Sequence, residues 1–432
     1  MGRGRSGAGF LLVGLLALVA GAEGPPARDE LRRRYERAGA AHRAGDYPTF
    51  LEESRAIAAL APRSVRARYN LACAHALLGQ EAEALAILER LARMGVAFDL
   101  EADADFAGIK GSPGFRAVVE RMKALEAPVG SSRPAFTIPE KDLLPEGVAH
   151  DPKTKAFYVS SVHKRKIVRV GPDGTVRDFV PGARDGLLST LALAADPGSR
   201  SLWAATDGVP QTRGLRKEDE GRSSVIEFDL DTGAKRRQVG PPPSVPGARF
   251  ADLTVGPGGD LWVADPYSAR LYVLRKGEAS FRVFLEPGTV ESPQGLAFSP
   301  GGRWLFVADY TQGILRVDPV TGSADLLEAP ADAAVTGIDG LLFQGGGLVG
   351  IQNGVRPHRV VRLRLDPELR RITEVVVLER KNPHFDEPTL GVTVGDELYY
   401  VANSQYEAFG EDGRPDAARL KDPVILRLRL SR

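Results

Sequence analysis

The spacing of hydrophobic residues changes once along the chain. Apolar residues recur at helical spacing over two stretches, 31–62 and 65–95, and each stretch is long enough for a pair of helices. From residue 140 onward the spacing falls to two, and short apolar runs are separated by Gly, Pro and Asp turns, as is typical of β-strands. The pattern predicts an α+β multidomain protein, with a small α-helical domain followed by an all-β domain.

The two helical stretches repeat each other at a distance of 34 residues. Tyr35 aligns with Tyr69, and Gly45 aligns with Gly79. This pattern resembles the tetratricopeptide repeat, which consists of two antiparallel helices with a glycine near the turn. The resemblance predicts a tetratricopeptide-like domain, and concave helical repeats of this kind commonly bind a protein or peptide partner.

Six segments of the all-β region share one plan, in which a short apolar strand, a turn and a second apolar strand follow one another. They are EGVAHDPKTKAFYVSS, LALAADPGSRSLWAAT, ADLTVGPGGDLWVAD, QGLAFSPGGRWLFVAD, DGLLFQGGGLVGIQN and LGVTVGDELYYVAN. Most are followed by a third strand, and the units recur at the spacing of propeller blades. We therefore predict a six-bladed β-propeller.

The predicted domain boundaries follow from these patterns and from two further segments. Arg3 and Arg5 precede a short apolar run that ends in a small-residue cleavage site, as in a secretory signal peptide. A Pro, Ser and Gly-rich stretch separates the two architectures. The predicted parts are a signal peptide over 1–22, the helical domain over 23–125, a linker over 126–139 and the propeller over 140–432.

Aligning the six segments on their turns places one residue of each at the same end of the propeller channel. This column contains Glu146, Leu191, Ala251, Gln294 and Asp339, with Pro388 or Thr389 in the sixth position. Carboxylate and amide oxygens are the ligands that Ca²⁺ takes in proteins, and a cation would offset the cost of burying the two carboxylates. We therefore predict a site for Ca²⁺ or another divalent cation at this mouth of the channel.

The motifs PEGVAHDP, ARFADLTVGPGGDLWVAD, SPQGLAFSPGGRWLFVAD and IDGLLF resemble the gluconolactonase and regucalcin family of calcium-dependent, six-bladed lactonases. The resemblance covers roughly residues 140–430. In that family a glutamate, two asparagines and an aspartate hold the metal, the aspartate also acts as general base, and an arginine binds substrate.

Carried over by position, the resemblance gives most of these roles to residues of this chain. Glu146 and Asp339 match the metal-binding carboxylates, Asp339 also matches the general base, and Arg249 matches the substrate-binding arginine. Gln294 replaces one asparagine and keeps its oxygen. Ala251 replaces the other asparagine, and the neighbouring Asp252 is the residue that could compensate for it.

Other polar residues are better explained by structure. The second strands end in Asp265, Asp309, Asn353 and Asn403, and Asp and Asn at such positions commonly satisfy turn amides. Cys73, the only cysteine, lies on the apolar face of a predicted helix and is expected to pack there. Two long polar insertions interrupt blades two and six, and they hold candidates for the channel mouth: Arg213, Arg216, Tyr406 and Phe409.

Composition narrows the class of protein further. With 43% apolar and 26% charged residues and a net charge of +1, the chain has the composition of a soluble globular protein and no basic excess for a nucleic-acid partner. The signal peptide predicts export to the periplasm or the medium, with no membrane association after cleavage. A single cysteine allows no internal disulfide in the exported protein.

Three hypotheses about function follow. The first is an exported propeller that binds a divalent cation and hydrolyses a lactone or small ester. The second is a non-enzymatic scaffold that binds a protein partner through the propeller and the helical repeats, and the loss of an amide at Ala251 favours it. The third is the condensation chemistry of strictosidine-synthase-like propellers, for which Glu387 is the nearest glutamate in a late blade.

Overall fold

The structure, a computed structural model, describes residues 26–430. The predicted signal peptide lies outside the described residues. The chain forms two compact units: one contains the residues up to Ala127 with Ala331–Ala334 and Val355–Pro357, and the other contains Pro128–Pro330, Val335–Gly354 and the residues from His358 onward. No helix within residues 26–430 has both the length and the apolar character required to cross a membrane.

The first unit contains five helices. They are α1 (Pro26–Ala44), α2 (Tyr47–Leu60), α3 (Val65–Leu77), α4 (Glu81–Arg93) and α5 (Pro113–Ala124). Side-chain caps fix where several of them begin, because the first amides of a helix have no partner within it. Ser64 accepts a hydrogen bond from the amide of Ala67 at the start of α3, and Ser112 accepts one from Phe115 at the start of α5.

The turns after α1 and α3 are built in the same way. Gly45 and Gly79 have left-handed φ angles of 72° and 70°, as residues that end a helix often do. The next amide donates back to a helix carbonyl in both turns, from Asp46 to Ala41 and from Gln80 to His75. The structure thus shows the repeat at 34 residues that the sequence predicts, while the assignment to the tetratricopeptide class stays a prediction.

The second unit is a six-bladed β-propeller, as predicted, and each blade is a four-stranded antiparallel sheet. The first three blades are β2–β5 (Val148–Asp151, Ala156–Ser161, Lys166–Val170, Val176–Val180), β6–β9 (Ser189–Asp196, Ser201–Asp207, Ser223–Asp229, Lys235–Val239) and β10–β13 (Leu253–Val255, Leu261–Asp265, Arg270–Leu274, Arg282–Leu285). The next two are β14–β17 (Pro293–Phe298, Leu305–Asp309, Gly313–Val317, Ala324–Leu326) and β18–β21 (Gly340–Gln344, Gly347–Gln352, Arg359–Leu365, Ile372–Arg380). The sixth blade contains β22–β24 (Gly391–Val394, Glu397–Val401, Val424–Arg429) and β1 (Arg133–Thr137).

Strand β1 closes the ring. It lies within residues 126–139, where the sequence predicts a linker, and it pairs with β24 from Arg133↔Arg427 to Thr137↔Val424. Without β1, the outer edge of β24 would carry unpaired amides and carbonyls. Phe136 also packs on Phe157 of the first blade, with ring centroids 5.3 Å apart. The Pro and Ser residues that suggest a linker are tolerated because β1 is an edge strand.

The inner strands of neighbouring blades approach one another closely at one level of the channel. A Cβ atom on Gly147 would lie 2.7 Å from the carbonyl oxygen of Leu191, and one on Gly295 would lie 2.5 Å from that of Asp339. Only glycine permits this approach. The residue before each glycine, Glu146 or Gln294, therefore lies where the blades converge.

Candidate functional site

The backbone fixes the register of the column at the channel mouth. The amide of Gly295 donates to the carbonyl of Asp339 across one blade boundary (2.8 Å), and the amide of Leu390 donates to the carbonyl of Glu146 across another (3.3 Å). In each bond the donor follows a column residue and the acceptor belongs to the column. The sixth column position is therefore Thr389, whose hydroxyl also donates to the carbonyl of Glu146.

Glu146 is the least satisfied carboxylate at this mouth. Its Oε2 atom is buried and has no hydrogen-bond partner within residues 26–430, while the nearby hydroxyl of Tyr406 lowers the pKa of the carboxylate. Burial raises the pKa of Glu146 well above its ordinary value, and the negative charges of Asp339, Glu387 and Asp252 raise this pKa further. A carboxylate in this setting lacks a positive partner.

Asp339 is held by an amide at the end of the next strand. The Nδ2 group of Asn353 donates to its Oδ2 atom at 2.7 Å, and the hydroxyl of Tyr310 donates to Oδ1 of Asn353 at 3.0 Å. Burial raises the pKa of Asp339 to about 6, and the hydrogen bond from Asn353 works against that rise. Asp339 is therefore mostly ionised at neutral pH.

Asp252 lies close to the same charges. Its Oδ1 atom accepts a hydrogen bond from the amide of Leu253 at 2.7 Å. Burial raises the pKa of Asp252 to about 8, and the charge of Asp339 contributes to the rise. Asp252 also lines a cavity of about 270 Å³ between the inner strands of the propeller, together with apolar residues such as Leu193 and Leu341. Asp252 is thus mostly protonated at neutral pH in the absence of a cation.

Gln294 occupies its column position in a bulge of β14. The pairing of β14 with β15 shifts between Pro293 and Leu296, so that Gln294 and Gly295 lie in the irregular part of the strand. Its half-buried side chain makes no hydrogen bond among the described residues. The amide oxygen of Gln294 therefore has no hydrogen-bond partner in the part of the chain that the structure describes.

Arg249 is bound to a buried aspartate at the edge of the mouth. Its Nε and Nη2 atoms both lie 2.8 Å from Oδ2 of Asp207, and its guanidinium lies over the ring of Tyr267, 4.2 Å from the centroid. Burial raises the pKa of Asp207 to about 6 although Arg249 lowers it, so the two side chains form an ion pair at neutral pH. Tyr267 interacts electrostatically with both Arg249 and Glu146.

Two of the four second-strand ends follow the sequence prediction. Asp265 accepts hydrogen bonds from the amides of Tyr267 and Ser268, and Asp309 accepts them from Thr311 and Gln312. These are turn amides, as predicted.

Asn353 does not make the expected turn contact, because its amide donates to Asp339. The sequence contains no signal that separates it from Asn403, which accepts a hydrogen bond from the amide of Val424.

The two polar insertions contribute unequally. Tyr406 of the sixth-blade insertion reaches Glu146, whereas Phe409 packs on His163. Arg216 of the second-blade insertion forms an ion pair with Asp219 at 2.7 Å. Of these candidates, Tyr406 is the one with a described contact to a column carboxylate.

Glu387 is a further acidic residue of the mouth. It has a left-handed φ of 61°, which is costly for a non-glycine residue and is commonly found at functional sites. Its charge acts on both Glu146 and Tyr406. The sequence pattern gives Glu387 a role only in the condensation hypothesis, and no motif places it beside Glu146.

The donors at this mouth fit a hard divalent cation in part. Glu146 has an orphaned buried oxygen and Asp339 is ionised, and both features suit a Ca²⁺ ligand. Among residues 26–430, the mouth carboxylates do not form a group of three whose oxygens all lie within 4.8 Å of one another. Two carboxylates, an amide and water would therefore make up the ligand set.

The fold and this mouth define a class of protein: a six-bladed β-propeller with an oxygen-rich, acidic site where its inner strands converge. The family model described as SMP-30/Gluconolactonase/LRE-like region matches residues 144–377. This match spans more than half of the 432 residues, and the chain belongs to that family. No curated protein sequence shows a significant match to it.

Several solved structures are similar to the propeller. A gluconolactonase from Xanthomonas campestris is 17% identical, with 71% of this chain and 92% of that chain covered and a TM-score of 0.48. Regucalcin from Agrobacterium tumefaciens, a calcium-binding protein, is 17% identical, with 70% and 95% covered and a TM-score of 0.49. A virginiamycin B lyase from Staphylococcus aureus is 13% identical, with 62% and 81% covered and a TM-score of 0.45. Identities this low do not carry an activity or a substrate over to this chain.

Proposed function

We propose that this protein is a hydrolase that opens a lactone or cleaves a small carboxylic ester at the mouth of its propeller. It would use a divalent cation, Ca²⁺, bound by Glu146, Asp339 and Gln294. The observation that carries the proposal is the buried, unpartnered Oε2 atom of Glu146 beside the charge of Asp339. Membership of the SMP-30/gluconolactonase family supports the same activity class.

A cation would remove the electrostatic conflict that the mouth otherwise contains. The negative charges of Asp339 and Asp252 raise the pKa of Glu146. Ionising all three carboxylates at once therefore costs electrostatic free energy. When bound, a divalent cation would stabilise the ionised carboxylates and polarise the carbonyl of an ester. Asp252 follows Ala251, where the family places an asparagine, and in this proposal it contributes charge near the cation.

Asp339 is the residue suited to activating water. At neutral pH its carboxylate is mostly ionised, because its pKa is about 6, and it can accept a proton from a water molecule. The water oxygen then adds to the ester carbonyl, the ring C–O bond breaks, and the proton held by Asp339 passes to the departing oxygen. Asn353 keeps this carboxylate in place through its 2.7 Å hydrogen bond.

Arg249 is suited to orienting the substrate. Asp207 accepts a hydrogen bond from its Nε and forms an ion pair with its Nη2, and the ring of Tyr267 lies against one face of the guanidinium. The buried Nη2 group forms this ion pair but makes no hydrogen bond among the described residues. This group can therefore donate to a hydroxyl or carbonyl oxygen of a bound lactone.

A non-enzymatic scaffold is the second candidate. The observation that favours it is Ala251, which supplies no ligand where the family has an asparagine. In that case the mouth or the helical repeats would bind a protein or peptide partner. The predicted signal peptide at residues 1–22 leads us to propose export for either function.

The proposal is tested by assaying the purified protein on a panel of aliphatic lactones and aryl esters, with and without Ca²⁺. We expect calcium-dependent hydrolysis that Asp339→Asn lowers by about 10²–10⁴-fold, the usual contribution of a general base. Glu411→Gln changes an exposed carboxylate of the sixth-blade insertion and should retain full activity. Hydrolysis that is equal in wild type and Asp339→Asn would contradict the assigned base, and a folded, calcium-loaded protein without any activity would favour the scaffold.

A further inference from the structure

The helical unit contains a compact group of metal-binding side chains that the propeller site does not involve. The thiol sulfur of Cys73 and carboxylate oxygens of Asp103 and Asp105 all lie within 4.8 Å of one another. The Nε2 atom of His42 lies 2.9 Å and 3.1 Å from the two oxygens of Asp105. We call these four residues the helical-unit cluster.

Three separate parts of the helical unit meet at this cluster. His42 lies on α1 and Cys73 on α3, while Asp103 and Asp105 lie in the turn that precedes α5. Tyr69, one helical turn before Cys73, donates a 2.5 Å hydrogen bond to Oδ2 of Asp103. The other oxygen of Asp103 accepts the amide of Asp105. The fold therefore holds the carboxylates in place from outside, as the residues around metal ligands commonly do.

The chemistry of the four side chains corresponds to that of a zinc site. Thiolate, imidazole and carboxylate are the ligands of Zn²⁺, at distances of about 2.0–2.3 Å. Ligands around such an ion lie roughly 3–4 Å apart, which is compatible with Cys73, Asp103 and Asp105, whose ligand atoms all lie within 4.8 Å of one another. His42 lies outside this group of three and contacts Asp105. We propose that this cluster binds a divalent transition-metal ion of the zinc type.

The Cys73 thiol is buried beside two carboxylates. A thiol is only a weak hydrogen-bond donor, and it offsets little of the cost of two carboxylates beside it. Metal binding forms an S–metal bond and releases the thiol proton to solvent.

The side chains of the helical-unit cluster differ in solvent exposure, and this leaves a bound ion able to exchange with solvent. Cys73 is 3% exposed, whereas the side chains of His42 and Asp105 are 24% and 19% exposed. An ion can therefore enter from the His42 side and reach the buried sulfur. Because a thiolate and an imidazole favour Zn²⁺ over Ca²⁺, this site is chemically distinct from the proposed calcium site of the propeller.

A bound ion would join α1, α3 and the turn before α5. The protein has one cysteine and hence no internal disulfide, and small domains are often stabilised by a structural metal instead. We therefore expect metal binding to raise the melting temperature of the helical unit.

Cobalt(II) serves as the probe, because a cobalt–thiolate bond gives a near-ultraviolet charge-transfer band that oxygen ligands do not give. The full-length, tag-free protein is stripped with a chelator and titrated with Co²⁺. We expect the band to saturate at one equivalent, to disappear when Zn²⁺ is added, and to be absent in Cys73→Ser. Asp105→Asn should weaken Co²⁺ binding by about tenfold or more while circular dichroism shows that the variant is folded.

Two variants serve as controls. Glu83→Gln changes an exposed carboxylate of α4 and should retain the band, and Glu146→Gln should retain it because it changes only the propeller site. Absence of the band from folded wild-type protein would overturn the proposal and identify the cluster as a hydrogen-bond network. A band that survives in Cys73→Ser would overturn it as well, because the thiolate would then not be a ligand.

Discussion

At the scale of single residues, the propeller mouth is a place where burial and like charges act together on carboxylates. The distance from each hairpin turn places Glu146 and Asp339 in one column, because both lie the same number of residues before the turn. The count could not find Asn353 or Tyr406, which reach these carboxylates from a strand end and from an insertion. Their contacts depend on tertiary packing, which a repeat pattern does not encode.

The raised pKa of Asp252 predicts a specific dependence of stability on pH. Its pKa is about 8 in the folded protein against an ordinary value of 3.8, so the folded state binds the proton more tightly. The contribution of Asp252 to the free energy of unfolding is fully present below about pH 4, and it is lost as the pH rises through 8.

Asp252→Asn should remove this loss. In calcium-free buffer we expect the variant and wild type to be equally stable near pH 4, with the variant more stable by up to about 6 kcal/mol at pH 9, since each unit of pKa difference corresponds to about 1.4 kcal/mol. Thermal unfolding followed by tryptophan fluorescence measures the difference, since all three tryptophans lie in the propeller. An equal loss of stability in both proteins up to pH 9 would contradict the assignment of this titration to Asp252.

At the scale of elements, the alternation of apolar and polar residues predicted the blades well but failed at β1. That strand is exposed along most of its length, so it lacks the period of two that marks a half-buried strand. Its position is determined by the free edge of β24, a partner almost 300 residues away that no local pattern identifies.

Phe136→Ala tests the contribution of this closing strand. The variant loses the ring that packs on Phe157, and a half-buried aromatic side chain contributes about 1–2 kcal/mol. We expect the free energy of unfolding of the propeller to fall by that amount in urea denaturation followed by tryptophan fluorescence. Arg133→Ala, at an exposed position of the same strand, should lie close to wild type. Equal stability of the two variants would show that Phe136 does not help to close the ring.

The insertion in the sixth blade contributes Tyr406 to the proposed cation site. The hydroxyl of Tyr406 lies close enough to Glu146 to lower the pKa of that carboxylate, so it favours the ionised form that a cation requires. In Tyr406→Phe we expect calcium affinity to fall by about tenfold, the effect of one hydrogen bond to a charged group. Calorimetric titration measures this change, and unaltered affinity would mean that the hydroxyl does not support the metal-binding form of Glu146.

At the scale of the whole molecule, the chain combines a helical unit with a propeller of the SMP-30/gluconolactonase family. The sequence predicted both architectures, because each repeats a unit whose period is visible. It could not predict the cysteine-containing cluster of the helical unit, since His42, Cys73 and the two aspartates have no regular spacing. They meet only because the helices pack together.

The central claim is that Glu146 and Asp339 bind a divalent cation at the propeller mouth. Calorimetric titration of Ca²⁺ into wild type, Glu146→Gln and Asp339→Asn tests it most directly, with Glu411→Gln as a control on an exposed carboxylate. We predict one specific site in wild type and in the control, and its loss in both mouth variants. Absence of calcium binding to the folded wild type, or binding that survives in Glu146→Gln and Asp339→Asn, would contradict the claim.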